Sequence, residues 1–265
     1  MISNFDTSDR NAQRGGDFVP RLAMINDIAG FGRCSTTVSL PVISVMKVQV
    51  CPVPTSVLSN HLGFPLCHFD DYTSHMRDYI KVWNELGLTF DGLYCGFLGN
   101  EEQIDIVREF VEMFRPPLFL LDPVMGDHGR AYSSITETHV QKMKELLPLA
   151  DIITPNLAEA EVLTGMKITT REEMEKAAKV LSDKLPSTVG IVIKGGHLDD
   201  TADDLLYVGG ENHWINGKRI DNPNTHGTGC TFSSAIACNL ALTSDKVQAV
   251  TNAKEYLAGV IAAKL

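Results

Sequence analysis

Asn224-Thr225-His226-Gly227-Thr228-Gly229-Cys230-Thr231-Phe232-Ser233-Ser234-Ala235 is a glycine-bearing turn that runs straight into a small-residue, apolar segment with helical spacing. Gly227 and Gly229 let successive backbone N–H groups converge on one point, and the following helix adds the positive end of its dipole there. That combination binds anions, phosphate first among them. Cys230 stands at the mouth, where a helix N-terminus is expected to lower a thiol's pKa and fit it to accept a proton. Gly-Thr-Gly before a helix also reads as a plain tight turn with a cap, so the surrounding sequence has to decide.

Working back from this loop, apolar runs alternate with amphipathic segments. Residues 203–208 and 212–215 predict a hairpin across Gly209-Gly210. Short apolar runs at 190–194, 151–154, 117–121, 92–98, 48–57 and 21–26 predict strands. Segments 34–46, 72–86, 101–114, 136–147, 157–163 and 171–185 predict helices, and two more close the chain at about 228–241 and 244–265. Pro41 is expected to kink or break its helix, and Pro52 and Pro54 to make their strand irregular or an edge. Strand–helix alternation of this kind means parallel βαβ units with helices on both faces, an α/β fold with a mostly parallel sheet.

The 265 residues fit one large α/β domain, placed at 21–265 behind a polar stretch, 1–20, read as a flexible leader. The apolar helical pattern runs uncapped to Leu265, so either the chain is cut there or the helix ends there. A net charge of -10 offers no basic excess to displace counterions, which argues against nucleic acid as a partner. No run reaches the ~18 apolar residues of a membrane span. The six cysteines form no C-x-x-C pair, so a zinc site is not expected. Buried free thiols suit a reducing cytoplasm, and Cys34 and Cys51 are assigned to the core.

Ligands in such sheets gather beyond the carboxyl ends of the strands, where the distinctive polar residues of this chain fall. Asp27 follows the first predicted strand, where an aspartate also serves as a turn former. Asn60-His61 follows the second. Asp122-Pro123-Val124-Met125-Gly126-Asp127 puts two carboxylates around a stiff turn, suited to a hard cation and its phosphates or, more simply, to a cap and a turn. Asn156 and Glu159 lie three apart at a helix start. They can orient Mg²⁺ or form a capping box, and local sequence favours the box. Lys194 ends a buried strand ahead of two glycines and can reach nucleotide phosphates as a mobile point charge. His226 either touches phosphate or caps, and His197 reads as a loop residue.

In this order, Ser59-Asn60-His61, Gly96-Phe97-Leu98-Gly99, the Asp122–Asp127 turn, Thr154-Pro155-Asn156 with Glu159, and Gly227-Thr228-Gly229-Cys230 resemble the ribokinase superfamily. Within it the match is to the vitamin-kinase branch, from about Leu22 onward. The chain is similar to bacterial pyridoxal kinases and close to hydroxymethylpyrimidine kinases. The resemblance implies a three-layer α/β/α sandwich and ATP-dependent phosphorylation of the 5′-hydroxymethyl group of a B6 vitamer. It implies ATP contacts at Asp122, Thr154, Asn156, Glu159, Lys194 and Thr228, with Mg²⁺ served by Asp122, Asp127 and Glu159. A monovalent cation, K⁺ or Na⁺, would lie near Asp127 and Thr154. Gly227, Gly229 and Cys230 would be catalytic, with Asp27, His61, Leu62 and Cys230 around the vitamer. A cytoplasmic homodimer is implied, with the sheet edge or the Asn60 to Phe69 flap near the partner. This chain has Cys230 where the superfamily usually has Asp, a feature shared with hydroxymethylpyrimidine kinases. It has Asp27 where many pyridoxal kinases have Ser, and Leu62 where they have Thr. The lid after Met125 carries no second cysteine, so a lid thiol is not expected to trap an aldehyde. Two other readings stand beside the B6 kinase: a hydroxymethylpyrimidine (phosphate) kinase of thiamine synthesis, and a non-catalytic binder of vitamer or nucleotide.

Overall fold

The computed structural model describes residues 19–127, 130–131, 135–196, 198, 201–220, 226–243 and 245–263, with backbone alone for Asp127, Arg130 and Ala131. The expected leader up to residue 18 lies outside these residues, as do His128, His197, Asn224 and Thr225.

The short apolar runs form strands β1 (Arg21–Phe31), β2 (Gln49–Asn60), β3 (Phe69–Asp71), β4 (Gly92–Cys95), β5 (Phe119–Leu121), β6 (Gly126–Asp127), β7 (Arg130–Ala131), β8 (Ile152–Ile153), β9 (Gly190–Ile193), β10 (Asp204–Val208) and β11 (Glu211–Ile215). The helical segments form α1 (Ser35–Val45), α2 (Thr73–Glu85), α3 (Glu101–Phe114), α4 (Glu137–Leu146), α5 (Leu157–Thr164), α6 (Arg171–Ser182), α7 (Thr228–Thr243) and α8 (Lys246–Ala262). Nine strands make one sheet in the order β11-β10-β9-β8-β5-β4-β1-β2-β3, and β6 pairs with β7 separately. The six strands from β9 to β2 run parallel; β10 and β3 run against them, and β11 pairs antiparallel with β10 at one edge. The parallel strands are apolar on both faces, as burial between two helical layers requires. On one face Leu22, Met24, Tyr94, Leu120 and Ile152 pack with Phe232, Ile236 and Val250 of α7 and α8. On the other Ala23, Ile25, Leu93, Phe119 and Ile153 pack with Ile80, Val107, Met143, Leu163 and Met174 from α2 to α6. The result is the expected three-layer α/β/α sandwich.

Three local departures from the sequence reading shape the site. β1 continues past Asn26 to Phe31, so Asp27 lies inside the strand rather than after it. The β1–β2 register slips between Asn26 and Ile28, a bulge of the kind that re-aims side chains beside active sites. Pro41 sits within a continuous α1, on its exposed side, so its missing N–H leaves no buried carbonyl without a partner. Pro52 and Pro54 lie in a strand that is paired on both sides, which corrects the edge assignment in part. Gln49 points its N–H at Pro20 on the β1 side, so residues 52 and 54, of opposite parity, turn their nitrogens outward. β3 pairs only with Ser56–Leu58, so that stretch of the outer margin needs no donor.

Candidate active site

The anion-binding end is built by the chain entering α7. Gly227 has φ +82°, and a Cβ there would come within 1.7 Å of the Arg33 carbonyl oxygen, so only glycine fits. The Gly227 carbonyl accepts from the Thr231 N–H and hydroxyl, both at 2.9 Å, which locks the turn onto the first turn of the helix. Gly227, Thr228, Gly229 and Cys230 all face one open cleft of roughly 950 Å³, including solvent at its mouth. That is room for a small ring beside a phosphate chain.

Lys194 Nζ stands beside the turn, 3.6 Å from where a Cβ on Gly229 would lie, and 2.9 Å from Asp122 Oδ1. The Ser233 hydroxyl donates to Asp122 Oδ2 at 3.0 Å, and Thr154 Oγ1 lies 3.0 Å from Ser233 Oγ. Asn156 and Glu159 form a complete capping box. Asn156 N–H donates to Glu159 Oε2 at 2.7 Å, Glu159 N–H donates to Asn156 Oδ1 at 2.9 Å, and Met125 N–H reaches Glu159 Oε1 at 3.3 Å. Burial disfavours the Lys194 ammonium, but Asp122 and Glu159 outweigh it and hold the lysine charged. Burial pushes the Glu159 carboxyl well above the carboxylate range; Lys194 opposes the shift and the Asp122 charge adds to it. Two facing buried carboxylates of this kind are relieved by a hard cation, and Mg²⁺ is commonly held by one or two carboxylates plus substrate phosphates. Asp122 and Glu159 therefore fit such an ion, although among the described residues no three metal-type side chains cluster.

At the other end, Asn26 Oδ1 accepts from the Phe97 N–H at 2.9 Å and from the Asp27 N–H at 3.1 Å, which fixes its amide. Gly96 makes room for it, since a Cβ at Gly96 would lie 2.7 Å from the Asn26 side chain. Asn26 Nδ2 and Asp27 Oδ1 are buried with no hydrogen-bond partner in the protein, and both residues line the cleft. Such orphaned buried atoms call for a ligand or water. Burial raises the Asp27 pKa to about 6, with the Ser35 side chain pulling it back. His61 stacks on His226 with ring centroids 3.7 Å apart, joining the β2 end to the anion turn. Ser35 has φ +51° at the start of α1, and its backbone N–H lies against the Cys230 sulfur.

The expectation of an acidic Cys230 is overturned. Burial raises its pKa to about 12, and the Asp122 charge adds to the rise. Desolvation together with negative neighbours outweighs the Ser35 backbone hydrogen bond that favours the thiolate. Cys34, assigned to the core, is buried but lines the cleft as the N-cap position of α1. Of the residues expected at the site, Cys230, Gly227, Gly229, Thr228, Asp122, Asn156, Glu159, Lys194, Asp27, His61 and Leu62 share the cleft. Thr154 does not. It is fully buried, with its hydroxyl oxygen 3.0 Å from that of Ser233. The side chain of Asp127 lies outside the described residues. Asn26, Ser35 and Tyr94 line the cleft without having been singled out from sequence. The polar Asn26-Asp27 pair inside an apolar strand was the available signal for the first of these.

The phosphomethylpyrimidine kinase family profile matches residues 85–265. The chain is 37% identical over 186 residues to a hydroxymethylpyrimidine/phosphomethylpyrimidine kinase of Streptomyces coelicolor, covering 70% of this chain and 67% of that one. The match to the Haemophilus influenzae enzyme of the same description spans 63% of its length at 36% identity. A Bacteroides thetaiotaomicron structure with a provisional phosphomethylpyrimidine kinase label, crystallised with pyridoxal, superposes with TM-score 0.83 at 35% identity over 93% of this chain and 88% of its own. The pyridoxal kinase of Staphylococcus aureus in complex with ADP superposes with TM-score 0.82 at 26% identity, over 92% and 88%.

Proposed function

The chain belongs to the phosphomethylpyrimidine kinase family, and from that premise we propose that it transfers the terminal phosphoryl group of ATP to the hydroxymethyl oxygen of a small nitrogen heteroaromatic. Hydroxymethylpyrimidine is the alcohol of this kind that the curated relatives' names favour; its monophosphate, also in those names, has no free hydroxymethyl oxygen and would accept on a phosphate oxygen instead. One observation carries the reading: the α7 turn, the Lys194–Asp122 pair, the Cys230 thiol and the orphaned Asn26–Asp27 edge line a single cleft.

The division of labour follows from the geometry. The amides of Gly227 to Gly229 and the Lys194 ammonium bind and neutralise the phosphate chain. Phosphoryl transfer needs little beyond positioning and charge stabilisation, so these groups are the main catalytic apparatus. A divalent cation, held by Asp122 and Glu159, would supply further neutralisation of phosphate charge. Cys230 is neutral at pH 7 in this setting, so it orients the acceptor hydroxyl by hydrogen bonding rather than removing its proton as a thiolate. Asn26 Nδ2 donates to, and Asp27 accepts from, the polar edge of the ring. The donor–acceptor alternation of an aminopyrimidine edge suits that pair.

A second reading, a B6 vitamer as acceptor, is favoured by the pyridoxal in the Bacteroides thetaiotaomicron relative and by the Ser59-Asn60-His61 segment. An Asp27 carboxylate also pairs well with a protonated pyridine nitrogen. Coupled ATP-consumption assays with hydroxymethylpyrimidine, its monophosphate, pyridoxal, pyridoxine and pyridoxamine separate the two by kcat/KM. Phosphorylation of none of the five would overturn the kinase reading itself. A homodimer belongs to the same proposal. Phe31, Phe64, Leu66 and Phe69 are exposed on and beside the segment between β2 and β3 and suit a partner surface.

A further inference from the structure

We infer that the buried ion pair Asp204–Lys254 is a positioning device for the phosphate-binding lysine, an inference that rests on the reading of Lys194 as a nucleotide-phosphate ligand. Lys194 is the first residue beyond β9. On one side its backbone is fixed, because its N–H donates to the Pro155 oxygen at 2.9 Å and it bridges to Asn156. On the other side the chain turns away at once through Gly195 and Gly196, and something must hold that turn. Asp204, at the start of β10, does so: its Oδ1 accepts the Gly195 N–H at 2.9 Å. Its other oxygen takes Lys254 Nζ of α8 at 2.6 Å. The Gly195 carbonyl closes the turn by accepting the Leu198 N–H at 2.7 Å.

Both partners are inside the protein, Asp204 3% exposed and Lys254 9%. Taking two charges out of water is costly, and a well-packed apolar pair of the same volume commonly serves stability as well or better. The ionic pair is therefore better explained by what it fixes than by the stability it adds. The ammonium also lies 5.7 Å from the Phe232 ring centroid in α7, the helix that opens with the anion turn. One side-chain pair thus connects the Lys194 turn, β10, α8 and α7. The space around it is tight. A Cβ on Gly195 would come within 2.4 Å of the Asp203 oxygen, and one on Gly217 within 2.5 Å of Lys254 Cε. The adjacent Asp203 carboxylate takes the Gly217 N–H at 2.7 Å and pairs with Arg171, so it is committed to a different loop. The Gly195 amide depends on Asp204.

The test compares two double variants that both delete the buried charges. Asp204→Leu/Lys254→Met removes the acceptor for the Gly195 N–H; Asp204→Asn/Lys254→Met keeps it. Dissociation constants for a non-hydrolysable ATP analogue, KM for ATP and KM for the acceptor alcohol are measured on each, beside the melting temperature. The Leu/Met protein is expected to lose about tenfold in nucleotide affinity, the scale on which small misplacements of a binding group act, with acceptor KM within about twofold of the parent. The Asn/Met protein is expected to recover most of that loss. Should the Leu/Met protein not fold, Asp204→Glu moves the acceptor by one methylene while keeping the pair, and it is expected to show the same ATP-selective loss. Folded variants with the parent's nucleotide affinity, or with equal losses for nucleotide and acceptor, overturn the positioning role. A parent protein that binds no ATP analogue overturns the kinase reading instead, so the two failures are told apart.

Discussion

At the scale of single residues, Cys230 and Asp27 owe their chemistry to burial. A thiol pushed up to about 12 does not titrate in the working range. Cys230→Ala is therefore expected to lower kcat by about tenfold, less than the ~10²–10⁴ of a true general base. The parent's pH–rate profile should lack an ascending limb that the variant loses. A hundredfold or larger loss together with disappearance of such a limb would reinstate the thiolate. Asp27 makes a stability prediction of definite sign. Its folded pKa, about 6, lies above the ordinary 3.8, so folding favours the protonated acid. The stabilising contribution is complete below the unfolded pKa and is lost as pH rises through about 6. Asp27→Asn is expected to flatten that part of the stability–pH curve, recovering up to about 2–3 kcal/mol at pH 7, as urea titrations at pH 4.5 and 7.5 would read. It should also weaken acceptor binding, since a ligand edge is what the orphaned oxygen lacks. An Asn variant with unchanged pH dependence would show that the carboxyl is ionised in the fold at no cost.

At the scale of elements, the α7 turn and the β1–β2 pair decide the site. Gly227 and Gly229 look alike in the sequence but differ in the fold. Alanine at 227 meets both a φ of +82° and the Arg33 carbonyl, whereas alanine at 229 finds its nearest neighbour, Lys194 Nζ, at 3.6 Å. Gly227→Ala is expected to cost at least about 2 kcal/mol in denaturant unfolding. Gly229→Ala should fold near normally and lose ATP affinity, because its methyl enters the space between the turn and the lysine. Equal stability losses at both positions would contradict this geometry. The stripes of α2, α3 and α4 made them legible, α3 at its observed limits and the other two within a residue at each end, while α5 was marked by its capping-box start. β3, β6 and β7 were not legible, because their short, mostly polar sequences form no apolar run, whereas the equally short β5 and β8 are wholly apolar. The extension of β1 past Asn26 was hidden for a different reason. The polar Asp27 ended the apolar run in sequence, yet the sheet continues because a bulge accommodates it.

At the scale of the whole molecule, exposed apolar side chains gather where β1 ends and on the segment between β2 and β3. Leu66 is 84% exposed and Phe31 67%, and Phe31 meets Phe64 edge to face, leaving an apolar patch on the flap between β2 and β3. Sedimentation of the parent at micromolar concentration is expected to give a dimer, and Leu66→Asp with Phe64→Asp a monomer of nearly unchanged melting temperature. A monomeric parent would remove the flap from any interface. No helix among the described residues is long and apolar enough to cross a membrane.

The sequence by itself determined the layer order, the parallel sheet and the identity of most cleft residues, because periodicity and the strand-end rule depend on local pattern and on topology. The resemblance carried by its ordered short segments pointed to the family. Only the tertiary structure decided the electrostatics and the occupancy of each hydrogen-bonding group. The raised pKa of Cys230, the run of hydroxyls from Thr154 through Ser233 to Asp122 and the support of Lys194 by Asp204 and Lys254 all arise between residues distant in the chain. Desolvation and pairing are properties of what surrounds a group in space, and neither is written in its neighbours along the sequence.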